Sequence, residues 1–286
     1  MEFRVLAALG SRVGESPVWD DRRGALFVCD VLAPAIHLIT LDGTIHDTWR
    51  FDRPVGSMGL TASGRLIVAL GRDLAVFDPD AGTLAPLASV PEPEINRLND
   101  GKVGPDGCFY VGSMDDRPEK KPVGALYRVS ADGTLARVGS GFKVSNGLAW
   151  SPDGRRLYHS DSRGPWIDAL DFDPETGRLG ERRRFADLDN VAGRPDGAAC
   201  DAESGYWSAG VSAGVLNRFA PDGTLAARYP VPVRAPTMPC FCGPDLRLLA
   251  VTSLSESLPP GLGPDGHLLF AEAPVAGTPV ARMVGL

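Results

Sequence analysis

The sequence lacks the features of a protein that enters a membrane or is exported. No apolar run approaches the ~18 residues that a membrane-spanning helix needs. The first residues lead into a short apolar stretch without a cleavable signal pattern. We therefore expect a cytoplasmic protein with no membrane partner.

Basic residues are outnumbered as well, with 29 Lys and Arg against 36 Asp and Glu. The formal net charge is -7 and the isoelectric point is about 5.2. The main basic runs, Arg182 to Arg184 and Lys120 with Lys121, are short and are typical of a solvated surface. Because a nucleic-acid surface needs clustered Lys and Arg to bind phosphates, we expect no nucleic-acid partner.

Cysteine and histidine are few, and their spacing does not indicate a metal site. The five cysteines, an odd number, fall mostly in apolar, strand-like segments, which predicts buried free thiols in a reducing compartment. Cys240 and Cys242 form a close pair, but no second Cys or His pair accompanies them. The four histidines do not show ligand spacing, and we interpret His159 as a packed or substrate-side residue.

Glycine and proline, in contrast, are plentiful. The 34 Gly and 25 Pro residues are combined with 43% apolar residues, which is typical of many short strands joined by turns. Gly-containing turns before apolar stretches recur along the chain and predict hairpins in which Gly takes a positive φ. These turns are at residues 42–43, 63–64, 106–107, 132–133, 153–154, 204–205, 222–223 and 265–266.

The turns define a repeating unit of about four strands and roughly 40–50 residues, the length of one propeller blade. We place six unit starts near Pro17, Val55, Asn99, Asn146, Asp196 and Thr237. No long apolar pattern with a 3.6-residue period supplies crossover helices. The predicted fold is an all-β, six-bladed β-propeller with four-stranded blades around a central channel, formed as one domain by residues 1–286.

The predicted ring of blades must be closed between the last blade and the first. We expect residues 3–9 to add a strand to the last blade, because closure covers strand edges that would otherwise be exposed. A β-sandwich is the competing all-β layout, and it would not explain the repeat length.

Four of the six units begin with an acid or an amide: Glu15, Asn99 followed by Asp100, Asn146 and Asp196. The first strand of each blade lines the channel of a propeller, so these side chains are expected to converge at its mouth. Carboxylate and amide oxygens suit a divalent cation, which would also neutralise the acids. The alternative is that each acid or amide only bonds the backbone of its own turn.

The sequence resembles the senescence marker protein (regucalcin) and sugar gluconolactonase family. The resemblance lies in motifs that follow the family's order along nearly the whole chain. The matching segments are residues 14–19 (Gly-Glu-Ser-Pro-Val-Trp), 97–103 (Arg-Leu-Asn-Asp-Gly-Lys-Val), 112–114, 145–154, 158–162, 195–197 (Pro-Asp-Gly) and 239–246. The resemblance independently implies a six-bladed propeller.

The resemblance also implies a site. Glu15, Asn146 and Asp196 would bind one divalent metal with Asn99 beside it, and Arg97 and Asn99 would hold hydroxyl or carbonyl groups of the substrate. Asp116 is a loose match to a substrate-contacting acid of the family. The implied substrate is a sugar lactone, such as a glucono-, xylono- or arabinonolactone. The metal remains open between calcium, zinc, manganese, magnesium and iron(II).

The implied chemistry is metal-assisted hydrolysis of the lactone ester. Asp196 is the first candidate for the general base, and Asp100 is the second unless it is only a turn acid. Two other functions stay open: a paraoxonase-like propeller esterase or phosphotriesterase, and a non-catalytic calcium-binding propeller. We expect a monomer or a weak homo-oligomer.

Overall fold

The structure is a computed structural model that describes residues 1–259 and 263–286. In these residues all the regular structure is β-strand, arranged in six antiparallel sheets of four strands each. That part of the chain contains no helix of the length and apolar character needed to cross a membrane.

Five blades take four strands that are consecutive in the chain. Blade 1 comprises β2 (Gly14–Asp20), β3 (Ala25–Asp30), β4 (Ala35–Thr40) and β5 (Ile45–Arg50). Blade 2 comprises β6 (Val55–Leu60), β7 (Leu66–Leu70), β8 (Asp73–Asp78) and β9 (Thr83–Ser89). Blade 3 comprises β10 (Asn96–Val103), β11 (Phe109–Asp115), β12 (Gly124–Val129) and β13 (Leu135–Phe142). Blade 4 comprises β14 (Ser145–Trp150), β15 (Arg156–Asp161), β16 (Trp166–Phe172) and β17 (Leu179–Asp187). Blade 5 comprises β18 (Pro195–Cys200), β19 (Tyr206–Gly210), β20 (Val215–Phe219) and β21 (Leu225–Pro230).

Blade 6 joins the two ends of the chain. It comprises β22 (Pro236–Cys242), β23 (Leu248–Ser253), β24 (Leu268–Glu272) and the N-terminal strand β1 (Arg4–Ala7). β1 pairs antiparallel with β24, with Arg4 opposite Phe270. This pairing confirms that the segment near the N-terminus completes the last blade.

The first strands of the blades form the inner ring of a six-bladed propeller. β2, β6, β10, β14, β18 and β22 each contact the first strands of the two neighbouring blades, including β22 with β2. Each of these strands begins close to a predicted unit start. The repeat length therefore predicted the fold and the blade boundaries correctly.

Burial decreases from the inner ring to the rim. The first strands are almost entirely buried, whereas the outermost strands β5 and β9 are largely exposed. Apolar side chains fill the spaces between neighbouring blades, as Phe27 of blade 1 and Leu60 of blade 2 do. All five cysteines are buried and free, as their apolar surroundings predicted.

One predicted turn differs from the others. Gly43 and Gly223 take positive φ values of 88° and 90°, as expected of their hairpins. At residues 204–205 the positive φ, 66°, belongs to Ser204 instead. A Cβ on Gly205 would lie 2.4 Å from Oδ2 of Asp201, so this glycine is required for close packing and not for its φ.

Candidate active site

Each first strand has a β-bulge or a similar register irregularity near its start. The shifts lie between Glu15 and Val18, Val55 and Ser57, Leu98 and Gly101, Asn146 and Ala149, Pro195 and Ala198, and Pro236 and Pro239. The predicted acids and amides lie at or inside these shifts. Because a bulge reorients the side chains around it, the bulges explain how residues of extended strands turn toward the channel mouth.

The backbone directly after two of the site residues is left-handed. Ser16, after Glu15, has a φ of 47°, and Gly147, after Asn146, has a φ of 67°. Ser16 donates its N–H to Oε2 of Glu15 at 3.0 Å, while its Oγ accepts the N–H of Met58 from blade 2 at 3.0 Å. This unusual backbone is thus fixed by contacts between blades.

A line of hydrogen bonds connects blades 3, 4 and 5 at the mouth. Arg97 Nη1 donates to Oδ1 of Asn99 at 2.8 Å, and Asn99 Nδ2 donates to Oδ1 of Asn146 at 3.1 Å. Asn146 Nδ2 in turn donates to Oδ1 of Asp196 at 2.6 Å. The structure therefore brings these predicted residues together. Arg97 bonds within blade 3, whereas Asn99, Asn146 and Asp196 bond to one another across blades.

Two further predicted residues, Asp116 and Glu15, lie near this line of hydrogen bonds. Asp116, which is exposed, accepts the Nε–H of Arg97 at 2.9 Å and so orients that guanidinium. Glu15 lies on the inner strand of blade 1 and, unlike the amides, does bond its own turn through Ser16. Its carboxyl is nevertheless close enough to Asp196 and Asp100 for their charges to affect it.

The three acids disturb one another electrostatically. Burial raises the pKa of Glu15 well above its usual range, and the negative charges of Asp196 and Asp100 raise it further. Burial and then the charge of Asp100 raise the pKa of Asp196 to about 8, while nearby arginines and Asn146 oppose the shift. Such a cluster is stabilised by a positive charge between the carboxylates.

Asp100 is more central than a turn acid. Its side chain is buried, and Oδ2 accepts the N–H of Leu148 from the next blade at 2.9 Å. Its Oδ1 has no hydrogen-bond partner within the described part of the chain. Because a buried carboxylate oxygen normally finds a donor, this atom fits a site that receives a further ligand or a proton.

The donor set is compatible with a divalent cation only if amides take part. Among residues 1–259 and 263–286, no three His, Cys, Asp or Glu side chains form a ligand cluster by themselves. Glu15 and Asp196 supply carboxylates, and Asn146 and Asn99 can add amide oxygens, which suit hard cations. Asn146 presents Nδ2 to Asp196, and rotation of its amide by half a turn would present Oδ1 there instead.

Further buried side chains support the amides, and of these the sequence indicated a packed role only for His159. Ser162 Oγ accepts from Asn146 Nδ2 at 2.7 Å and donates to the carbonyl of Pro195 at 2.6 Å. The carbonyl of Ser145 accepts from Asn99 Nδ2, and the Ser145 hydroxyl lies 2.7 Å from Nε2 of His159. Burial lowers the pKa of His159 to about 3, so its imidazole is a neutral, packed support.

The pattern Gly-x-Ser-x-Gly occurs at residues 210–214, but its setting differs from that of a serine hydrolase. Ser212 lies in the hairpin between β19 and β20, and no helix follows. Its Oγ accepts the N–H of Arg194 at 2.9 Å. A nucleophile elbow requires a strand-to-helix turn, so this serine is not assigned a catalytic role.

A cavity of about 430 Å³ lies at the other end of the channel. It is lined mainly by apolar residues that end the first strands, such as Val103 and Trp150, together with Lys102 and residues 277–281. These residues differ from the mouth cluster, so this cavity and the candidate chemistry are at opposite ends of the channel.

The chain is similar to known proteins over most of its length. Residues 13–255 match the model of a family described as the SMP-30/Gluconolactonase/LRE-like region. A 6-deoxy-6-sulfogluconolactonase of Pseudomonas putida is 37% identical over 250 residues, 86% of this chain and 85% of the relative. The solved structure of a calcium-binding protein, regucalcin, from Agrobacterium tumefaciens has a TM-score of 0.93 at 27% identity, covering 99% of this chain and 97% of that one. A gluconolactonase from Xanthomonas campestris has a TM-score of 0.76 at 25% identity, covering 95% and 89%.

Proposed function

The chain belongs to the SMP-30/gluconolactonase/LRE-like family, and we propose that it is a metal-dependent lactonase that hydrolyses the ring ester of a sugar lactone. The observation that carries the proposal is the line of hydrogen bonds from Arg97 through Asn99 and Asn146 to Asp196. Relatives named as a sulfogluconolactonase and a gluconolactonase support the reaction class.

Glu15, Asn146 and Asp196 would hold the cation, with Asn99 beside them. A bound divalent cation supplies Lewis acidity toward an ester carbonyl and makes water more acidic. A related protein from Agrobacterium tumefaciens is named as calcium-binding. Oxygen ligands also accept zinc, manganese, magnesium and iron(II), so activity with each added cation identifies the preferred metal.

Arg97 and Asn99 bind and orient the substrate. Their polar side chains match the hydroxyl and carbonyl groups of a sugar lactone better than the surface of an apolar ester, which sets aside an esterase of the paraoxonase type. Asp116 fixes the guanidinium of Arg97 through their ion pair and so acts as a positioning residue.

Asp196 moves the proton in this scheme. Its carboxylate accepts a proton from the water that attacks the lactone carbonyl carbon, and the ring C–O bond then breaks. The same group returns the proton to the departing ring oxygen, which becomes the free hydroxyl of the aldonic acid. Asp100 is the second candidate for this role because its Oδ1 is free to accept a proton.

The test is a substrate and metal panel. Metal-stripped protein is assayed with glucono-, xylono- and arabinonolactone and with simple aryl esters, each with calcium, magnesium, manganese, zinc or iron(II) added back. We expect lactone hydrolysis to require one of the cations and to exceed ester hydrolysis. Failure of every lactone with every cation would refute the proposal.

Asp196→Asn and Asp222→Asn form a matched pair for this assay. Asp222 is an exposed turn acid between β20 and β21, on the face opposite the mouth. We expect Asp196→Asn to reduce kcat at least 100-fold and to weaken cation binding, and Asp222→Asn to leave both near the values of the unmodified protein. Similar kcat values for the two variants would contradict the assignment of Asp196.

A further inference from the structure

Three cations lie along one side of the mouth and have no part in the lactonase scheme. The loops that lead into first strands, and those that join second to third strands, all open on the mouth face. Lys120 lies between β11 and β12, Arg163 between β15 and β16, and Arg194 directly before β18. They therefore come from three consecutive blades, the same three that carry Arg97, Asn146 and Asp196.

These three cations have no carboxylate partner among the described residues, unlike several arginines on the same face. Arginines on the mouth face that form ion pairs are Arg12 with Glu256, Arg53 with Asp73, Arg97 with Asp116, Arg117 with Asp115 and Arg234 with Asp265. Arg72, between β7 and β8, donates instead to the carbonyl of Glu92. In residues 1–259 and 263–286, Lys120, Arg163 and Arg194 form no ion pair with a carboxylate. Lys120 Nζ donates only to the carbonyl of Asp115, at 2.9 Å.

Arg163 lies close enough to Lys120 and to Arg194 for their positive charges to repel. Partial burial lowers the pKa of Lys120, and the positive charges of Arg97 and Arg163 lower it further, while the charges of Asp116 and Asp115 oppose the shift. Unpaired like charges at short range cost free energy, although the chain is rich in acids with its net charge of -7.

The backbone that carries Arg163 is held firmly beside the site. The carboxylate of Asp161 accepts the N–H groups of Lys143, Val144, Arg163 and Gly164. The intervening Ser162 is bonded to Asn146 and to Pro195. A cation on such a preorganised loop loses less entropy when it binds a ligand.

We propose that Lys120, Arg163 and Arg194 bind an anionic substituent on the substrate, at the end of the sugar far from the reacting carbonyl. The inference rests on the proposed lactonase function and narrows its substrate class to acidic aldonolactones. A phosphate, sulfonate or carboxylate would compensate the three charges, and the forked guanidinium groups suit such oxyanions. A neutral sugar would leave the charges uncompensated.

The test compares one lactone with and without a charge. Glucono-1,5-lactone is assayed beside its 6-phosphate, its 6-deoxy-6-sulfonate and the corresponding 6-carboxylate. We expect kcat/KM to be at least tenfold higher for a charged form than for the neutral one, and this ratio to fall as KCl is raised. The charged form with the largest ratio identifies the substituent.

Arg163→Gln and Arg155→Gln are the matched variants. Arg155 is exposed in the turn between β14 and β15, on the opposite face. We expect Arg163→Gln to reduce the charged-to-neutral ratio at least fivefold, mainly by raising KM for the charged lactone. Arg155→Gln should leave the ratio unchanged.

Two results would overturn the inference while leaving the lactonase proposal intact: equal kcat/KM for charged and neutral lactones, or a ratio that Arg163→Gln does not change. If no lactone is hydrolysed, the lactonase proposal fails, and calorimetry with 6-phosphogluconate and gluconate decides the inference separately. Tighter binding of 6-phosphogluconate that Arg163→Gln weakens would support the anion site, and equal affinities would overturn it.

Discussion

Asp196 carries a proton in the metal-free protein at neutral pH. Burial and the charge of Asp100 raise its pKa to about 8, far above that of an aspartate in an unfolded chain. The folded protein therefore binds this proton more tightly than the unfolded chain does. Stability from this group is fully present below about pH 4 and is lost as pH rises through about 8.

This linkage predicts that Asp196→Asn stabilises the metal-free protein at high pH. The neutral amide avoids the buried charge, so we expect a melting temperature several degrees above that of the unmodified protein at pH 9 in the presence of chelator. The difference should shrink toward pH 4, where Asp196 is protonated in both states. Thermal unfolding followed by circular dichroism between pH 4 and 9 measures it.

A bound cation should reverse the order of the melting temperatures of the unmodified protein and Asp196→Asn. Ligand binding to the folded state raises the melting temperature of the unmodified protein but not that of Asp196→Asn. Asp222→Asn is the control, since hydrogen bonds from Thr224 lower the pKa of Asp222, so its stability contribution has the opposite pH dependence. An Asp196→Asn variant less stable than the unmodified protein at pH 9 without metal would contradict the raised pKa.

Among the strands, β14 has a bulge after Asn146 that orients the side chains of the candidate site. A Cβ on Gly147 would lie 2.5 Å from Oγ of Ser160 and 2.6 Å from the hydroxyl of Tyr206, and the φ of 67° disfavours any side chain. Tyr206 also donates its hydroxyl to the Gly147 carbonyl at 2.9 Å. The strand thus depends on glycine both for its backbone angle and for space.

Gly147→Ala tests this dependence against Gly82→Ala. Gly82 has nearly the same φ, 65°, but an added Cβ would meet nothing within 4 Å. The shared backbone strain costs about 1–2 kcal/mol, and crowding at Gly147 adds about 1–3 kcal/mol. We expect Gly147→Ala to lower the melting temperature clearly more than Gly82→Ala and, alone of the two, to weaken cation binding at least tenfold. Equal losses would show that crowding at the bulge is unimportant.

The sequence predicted the strands better than the bulges. Asp-Gly turns and apolar stretches mark the starts and ends of strands because they act locally, and the repeat then places Glu15, Asn99, Asn146 and Asp196 on equivalent strands. A register shift depends on pairing with the neighbouring strand, so no local sequence pattern predicted it. For the same reason the sequence did not reveal Ser162, whose contacts come from blades 4 and 5.

For the whole molecule, the ring is completed by a short strand from the N-terminus. β1 places Leu6 and Ala7 in the core and covers the edge of β24. Burial of one leucine side chain contributes roughly 1.5–3 kcal/mol, and an uncovered strand edge promotes aggregation. The inner strands β2 of blade 1 and β22 of blade 6 are also in contact at this junction.

Deletion of residues 1–9 should open the ring. We expect the melting temperature to fall by several degrees and light scattering to increase on heating, because the β24 edge becomes accessible. Deletion of only Met1 and Glu2, which are exposed, is the control and should change neither quantity. Equal melting temperatures for the two deletions would show that β1 does not hold the ring closed.

The most direct test of a metal-dependent lactonase centre at the mouth is to measure activity while the cation is added in stoichiometric steps. Metal-stripped protein is titrated with the best cation of the panel while the initial rate on the best lactone is measured. We expect the rate to rise linearly and to level off at about one cation per chain, and Asp196→Asn to stay near the metal-free rate. Full activity without metal, or an unchanged titration in Asp196→Asn, would contradict the proposed centre.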